Sequence, residues 1–436
     1  MVAKALSASP YHSRPMPRSM PRPTPHATVP LLVVTILASF GTGVVWNGLA
    51  FVTREQYGFG EIENLLLAVF NGAVYVAAAF ASGPLTRRLE RRTSPRGVLV
   101  GMLALQAICC PLPALVDAAW LIWIVGAVLS ASAAVQWPIV ESLLSAGRDG
   151  RSMRQAIGWW NVAWMAAVAA AILGMAPLLA LGHPSWTFLG LAILFTIAAA
   201  VASRLPSRPA EHGDTPHPHH ASERYRALLS SSRVLLPLGY VLVGAISPLM
   251  PYLLADLETP LAWQTPITSV WLLARIGVVV LLWRTHVWHG RIATLVAAAA
   301  LMIGGFAAMV LAGSLATMLL GLAAFGIGQG IVYYAALYYA MAVGHAGLDA
   351  GGTHEALIGA GYSVGPGVAL LGSLAAGGAG IVAATWAVVA VAAVPAFRPL
   401  WTLARRERRT APETETGPYT GSQTGSQTGS ELSGDR

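Results

Sequence analysis

Apolar residues in this chain do not alternate with polar ones at the period of an amphipathic helix or of a strand. They run on without interruption and then stop at short polar gaps. Twelve such runs can be read. In the first half they are Val29–Val52, Asn64–Ala81, Val98–Leu115, Ala118–Val140, Ile157–Leu181 and Trp186–Ser203. In the second they are Val234–Leu254, Trp263–Trp283, Ile292–Ala312, Leu315–Val343, Ala356–Ala376 and Gly380–Trp401. A helix that crosses a bilayer needs about 20 mostly apolar residues, and a helix that is apolar all round has no face for water. The pattern therefore predicts an all-α membrane protein with twelve transmembrane helices.

Composition and charge agree with lipid as the solvent. Hydrophobic residues make up 55% of the chain and charged ones 11%, whereas a soluble domain carries about one quarter charged residues. The net charge of +8 points to nucleic acid only until its distribution is followed. Arginines fall in every second gap: Arg87, Arg88, Arg91, Arg92 and Arg96, then Arg148, Arg151 and Arg154, then Arg204, Arg208, Arg224, Arg226 and Arg233, then Arg284 and Arg291. Lys4, Arg14, Arg18 and Arg22 precede the first run, and Arg405, Arg406, Arg408 and Arg409 follow the last. The other gaps hold Glu55, Glu61, Glu63, Asp117, Asp256 and Glu258, with Arg54 their one cation. By the positive-inside rule this predicts cytoplasmic termini and a multi-pass protein of the cell (inner or plasma) membrane, with no nucleic-acid partner. Cys109 and Cys110 are adjacent inside one run, which leaves no spacing for a disulfide framework or a metal site.

The runs divide six and six around one long polar break rich in Pro and His. The expected organisation is a disordered cytosolic arm over 1–28, a six-helix bundle over 29–203, a cytoplasmic linker over 204–225, a second six-helix bundle over 226–402 and a disordered tail over 403–436. Equal halves of this kind indicate internal duplication and two pseudo-symmetric bundles. The linker histidines His212, His217, His219 and His220 read either as a metal-binding tract or as part of a solvated linker. The run from Thr420 to Ser430, built from Thr-Gly-Ser-Gln repeats, cannot bury enough apolar surface to fold.

Between the second and third runs the sequence is Gly83-Pro-Leu-Thr-Arg-Arg-Leu-Glu-Arg-Arg92. Together with the span count and the six-plus-six split, this resembles the loop signature of the major facilitator superfamily, a glycine, a leucine and then Asp-Arg-x-Gly-Arg-Arg. Arg87 stands where the family has its acid and Glu90 where it has glycine. The resemblance covers residues 29–402 and implies a secondary active transporter, not an enzyme, that moves a small organic solute by alternating access. It implies no cofactor, a small-molecule substrate with a coupling ion as an option, a monomer, and gating residues at Gly83, Arg87, Arg88 and Arg91. The family's acid faces the start of helix 11, where this chain has Glu355, so a charge-reversed Arg87–Glu355 gate is expected; the alternative is an acid favoured at a helix N-terminus by the macrodipole. Gly352, Gly361, Gly365 and Pro366 follow the spacing of the family's glycine-proline motif, though on helix 11, and read as gating or as close helix packing. A membrane sensor that kept the same fold is the alternative function.

Candidate chemistry is sparse. Gly326-x-Gly328-x-Gly330 lies inside an apolar run with no preceding strand and is not a phosphate loop. Arg275 lies well inside the eighth run and reads as a charge for an anionic substrate, as half of a gating pair, or as a snorkelling side chain. Glu141 reads as a gating or proton-carrying acid or as a solvated carboxylate. Trp46, Asn47, Gln136, Trp137, Asn161, Trp164, Tyr240, Gln329, Tyr333 and Tyr334 are polar or aromatic residues in runs expected to face a central cavity. Mid-membrane amides need partners and aromatic rings give rigid contact with a polar handle. Such a set suits a moderately amphipathic small molecule, with helix packing as the alternative for any one of them.

Overall fold

The computed structural model describes residues 28–89, 92–148, 150–209, 222–343 and 348–410. Among them ten helices are long and apolar enough to cross a membrane. In chain order the first five are α1 (Thr28–Tyr57), α2 (Glu61–Gly83), α3 (Pro95–Leu115), α4 (Trp120–Ser145) and α5 (Gln155–Ala180). A helix of 17 residues, α6 (Trp186–Ala202), is apolar but short. Then come α7 (Glu223–Asp256), α8 (Leu261–Arg284), α9 (Ile292–Val310) and α10 (Leu315–Ala340). The stretch Ala356–Arg406 completes the ten, but it is two helices, α11 over 356–375 and α12 over 378–406, joined where Ala376 and Gly377 leave helical geometry. Counted as two, α11 and α12 bring the total to twelve helices among the described residues, of which only α6 falls short of a full span.

Helix ends follow local chemistry. Ser94 caps α3 by accepting from the Gly97 N–H, with Pro95 in the first turn, where its missing donor costs nothing. Ser222 caps α7 in the same way through the Tyr225 N–H. α1 ends on Gly58, whose left-handed backbone (φ 67°) lets its N–H close back on Arg54 and Thr53 carbonyls, a conformation that favours glycine.

The helix pairings repeat between the halves. α1 packs on α5 and α6, α2 on α4, and α3 on α4 and α6. Six helices later α7 packs on the α11–α12 unit, α8 on α10, and α9 on α10. The halves meet along two seams, α2 against α11 and α5 against α8. Small residues make the close approaches. A Cβ on Gly361 or Gly365 would strike α7 backbone at Pro237 and Val241, and one on Gly72 would strike Ser363. α7 is the most enclosed helix, whereas Phe80, Ile108, Leu320 and Val391 point outward with 72–81% exposure. Such an apolar outer surface belongs in lipid.

Candidate functional site

Near mid-height the two halves enclose a cavity of about 70 Å³, space for on the order of five waters. Its wall is Thr42 and Trp46 of α1, Tyr75 of α2, Trp137 of α4, Trp160 and Trp164 of α5, Tyr240 of α7, Tyr333 of α10, and Ile358 and Tyr362 of α11. Eight of these ten residues are aromatic, and both halves contribute. Trp46 stacks on Tyr362 with centroids 4.6 Å apart and meets Tyr75 edge-on at 5.7 Å. Trp137, Trp160, Trp164 and Tyr333 form a chain of tilted and edge contacts at 5.8–6.5 Å. These are the offset and T-shaped arrangements that ring quadrupoles favour.

Behind this wall lies Arg275, the only charged residue among the buried ones described. Its guanidinium carbon sits 4.4 Å from the Tyr333 ring centroid, 4.9 Å from Trp164 and 5.8 Å from Tyr240, and its Nη2 donates to the Tyr240 hydroxyl at 3.0 Å. Ring faces offset part of the cost of burying the charge. No carboxylate pairs with it among the described residues, and its Nε–H has no acceptor. Tyr333 also donates to Asn161 Oδ1 at 2.6 Å, an oxygen that accepts from Trp164 Nε1 at 3.1 Å. The α5–α10 contact across the halves is therefore polar as well as aromatic.

A second, smaller cavity of about 30 Å³ lies toward the acid-bearing ends of the helices and shares Trp46 and Tyr362 with the first. It is lined by Asn47, Asn64, Asn71, Ser247 and Pro366 among others. Beyond it the halves are fastened together. Asn64 Nδ2 donates to the Tyr252 hydroxyl at 2.6 Å, Tyr252 donates to the Phe59 carbonyl at 2.6 Å, and Arg54 donates to the Pro251 carbonyl. Asn64 is itself held by Thr53, whose hydroxyl donates to its Oδ1 at 2.5 Å. Lower down, Ser363 donates to the Gly72 carbonyl at 2.9 Å.

The sequence profile of the Major Facilitator Superfamily matches residues 31–353. The chain belongs to the major facilitator superfamily. Solved members share its fold at low identity. The nucleoside transporter NupG superposes with a TM-score of 0.62 at 13% identity, over 86% of this chain and 99% of that one. A bacterial homologue of the human lysosomal transporter Spinster, inward-facing and unoccupied, gives 0.62 at 13% over 88% and 98%. A bacterial homologue of the human drug peptide transporters PepT1 and PepT2 gives 0.60 at 14% over 88% and 99%. No curated protein sequence matches the chain. As a member of this superfamily the protein is a multi-pass membrane transporter, not an enzyme.

Of the residues singled out from sequence, Trp46, Trp137, Trp164, Tyr240 and Tyr333 come together on the wall of this transporter's cavity. Arg275 and Asn161 stand behind it. Asn47 lines the second cavity instead. Gln136 accepts from Gln106 Nε2 at 3.0 Å and ties α4 to α3, away from either cavity. Gln329 is buried with both amide atoms unpaired, and Tyr334 turns to Trp288 at 5.8 Å. Gly365 and Pro366 sit where α11 presses on α7, Pro366 also reaching the second cavity. Gly83 is half-buried at the end of α2, Arg88 is exposed, and Glu141 lies half-buried and partnered on α4. The side chains of Arg87 and Glu355, together with Arg91 and the linker histidines, lie outside the described residues. Sequence reasoning missed Tyr75, Trp160, Tyr362, Thr42 and Ile358. Tyr362 had a signal, one turn before Pro366, while Trp160 stood beside the chosen Asn161.

Proposed function

We propose that the protein is a secondary active transporter that carries a small, flat, largely apolar organic solute by alternating access, and that the aromatic cavity is its binding site. The arginine-rich ends of the helices, and both chain termini, face the cytoplasm across the inner or plasma membrane. The observation that carries this reading is the cavity's construction: rings from seven helices, four in the first half and three in the second, close on one point. A site split between two bodies is remade on the opposite side when those bodies rock about it. The inter-half hydrogen bonds at the acid-bearing end support reading this as the state closed to the outside. No carboxylate lines the cavity among the described residues, so a cavity acid has no part as proton carrier in this reading. Each ring pair replaced by a solute contact is worth about 0.5–1.5 kcal/mol beyond area burial, which favours planar guests.

The experiment is counterflow of radiolabelled aromatic solutes in proteoliposomes. Carriage is expected for planar compounds and is lost in Trp46→Ala with Trp164→Ala. Saturable binding without any flux would instead make the protein a sensor on a transporter fold.

A further inference from the structure

We infer that the solute is an anion, with its charged oxygens held near Trp160 and Thr42 and selected by Arg275 acting through the ring wall. This deepens the transport reading and rests on it for the location of the site. Aromatic cages ordinarily attract cations, because ring faces are the negative side of the quadrupole. Here three of the eight rings, Trp164, Tyr240 and Tyr333, already have a guanidinium within 4.4–5.8 Å. A cation on one face of a ring removes the incentive for a second cation on the other and leaves the cavity side at positive potential.

The polar atoms on the wall point the same way. The Trp160 indole N–H can only donate, lies on a residue 8% exposed and has no acceptor in the protein. The Thr42 hydroxyl on the facing helix is likewise buried and without a partner. Both residues line the cavity. Unpaired buried donors are costly and are satisfied by an acceptor that arrives with the ligand. A carboxylate offers acceptors only, and its bonds to such donors are about twice as strong as those of a neutral carbonyl. An ammonium offers only further donors.

Distance sets the size of the effect. A carboxylate near Trp160 lies beyond the Trp164 ring, which is 4.9 Å from the guanidinium and 6.4 Å from the Trp160 ring. At a separation of roughly 10 Å and an effective dielectric of about 20 this corresponds to about fifteen-fold in affinity over a neutral molecule of the same shape. Arg275 is thus a specificity-determining residue that does not touch the solute.

The test uses matched probes, benzoate, benzamide and benzylamine with their naphthalene counterparts, on the full-length protein. Binding is read by ligand-induced melting shifts and carriage by proteoliposome flux. The expected ranking is acid over amide over amine, with the acid ahead by ten- to thirty-fold. Arg275→Gln should bring acid and amide within about threefold, Arg275→Lys should keep most of the preference, and Trp160→Phe should weaken the acid more than the amide. The ranking in the unaltered protein needs no variant: equal binding of acid and amide, preference for the amine, or failure of every acid to bind overturns the inference. An acid preference that survives Arg275→Gln overturns the role of Arg275. Charge-blind flux of the series would sink this inference and leave the transport reading standing. Arg275-dependent binding of acids without flux would do the reverse.

Discussion

Tyr252 holds the closure at the acid-bearing end, and removing its hydroxyl alone should open that end. The oxygen donates to the Phe59 carbonyl at 2.6 Å and accepts from Asn64 Nδ2 at 2.6 Å. Both bonds join α7 to the α1–α2 corner, so they exist only while the halves touch there. Tyr252→Phe keeps the ring that lies 5.2 Å under the Arg54 guanidinium and deletes both bonds. At about 1 kcal/mol net for each, the closed state loses about 2 kcal/mol, a factor of roughly thirty in the open-to-closed ratio. A carrier open at this end about 1% of the time would then be open for roughly a quarter of it. Spin labels at Asp117 and Glu258, with Cys109 and Cys110 replaced by alanine, would report the change as a longer-distance population in pulsed dipolar spectroscopy. The control is Gln106→Leu, which breaks a bond of 3.0 Å to Gln136 inside one half and should lower stability without moving the distribution. An unchanged distribution in Tyr252→Phe, or the same change in both variants, would refute the latch.

Other outcomes follow from the same geometry. Trp46→Ala removes the 4.6 Å stack on Tyr362 and the ring that separates the two cavities, and should weaken aromatic ligands by about tenfold or more in melting-shift titrations. Gly365→Val places a side chain where a Cβ is already 2.2 Å from the Val241 carbonyl; folded yield on size-exclusion chromatography should collapse, while Gly174→Ala, with nothing within 4 Å of its Cβ, should be neutral or stabilising by up to about 1 kcal/mol. In the loop before α9, burial and then the neighbouring His286 lower the pKa of His289 below its ordinary 6.5. The folded state binds this proton less readily than the unfolded one, so the stability it contributes is whole above about pH 6.5 and is lost as pH falls through the depressed value. Melting temperature should drop between pH 7 and pH 5, and His289→Phe should flatten that slope.

The membrane fold was legible because lipid demands long apolar runs, and each run found its helix. The same uniformity hid the cavity. A helix that is apolar all round carries no moment to say which side faces inward, so choosing wall residues depended on which helices were taken to face the centre. α1, α4, α5, α7 and α10 supplied Trp46, Trp137, Trp164, Tyr240 and Tyr333 that way. Tyr75 and Tyr362 were passed over because no residue of α2 or α11 was placed on the cavity; the structure makes these the seam helices, and the seam ends at the cavity edge, where Ser363 meets Gly72. Gln136 misled for a related reason. A mid-membrane amide must find a partner, and Gln106 one helix away serves as well as a ligand would. The runs Trp186–Ser203, Ala356–Ala376 and Gly380–Trp401 were separated correctly as well, although α6 is only 17 residues long and the α11–α12 junction at Ala376 and Gly377 carries no polar residue.

The two breaks in helical geometry explain how one end could open without dismantling the site. α1 widens into a π-turn at Val44–Gly48, and α7 tightens into a 3₁₀ turn at Ser247–Leu249. The two turns touch each other, although they stand in different halves. Trp46 sits within the first turn, and its ring is both the roof of the aromatic cavity and the floor of the smaller one. Beyond the turns lie only the short tips Leu49–Tyr57 and Met250–Asp256, which carry Arg54, Pro251 and Tyr252. Below them lie Tyr240 and the contacts to Arg275. Irregular turns are the positions where a helix bends at least cost, and at functional sites π-turns recur. A bend there parts the tips and breaks the latch, yet leaves Tyr240, Tyr333 and Trp164 around the guanidinium. In the proposed cycle the tips of α1 and α7 would open while the rings below them keep the solute, with Trp46 at the turn between, bordering both cavities.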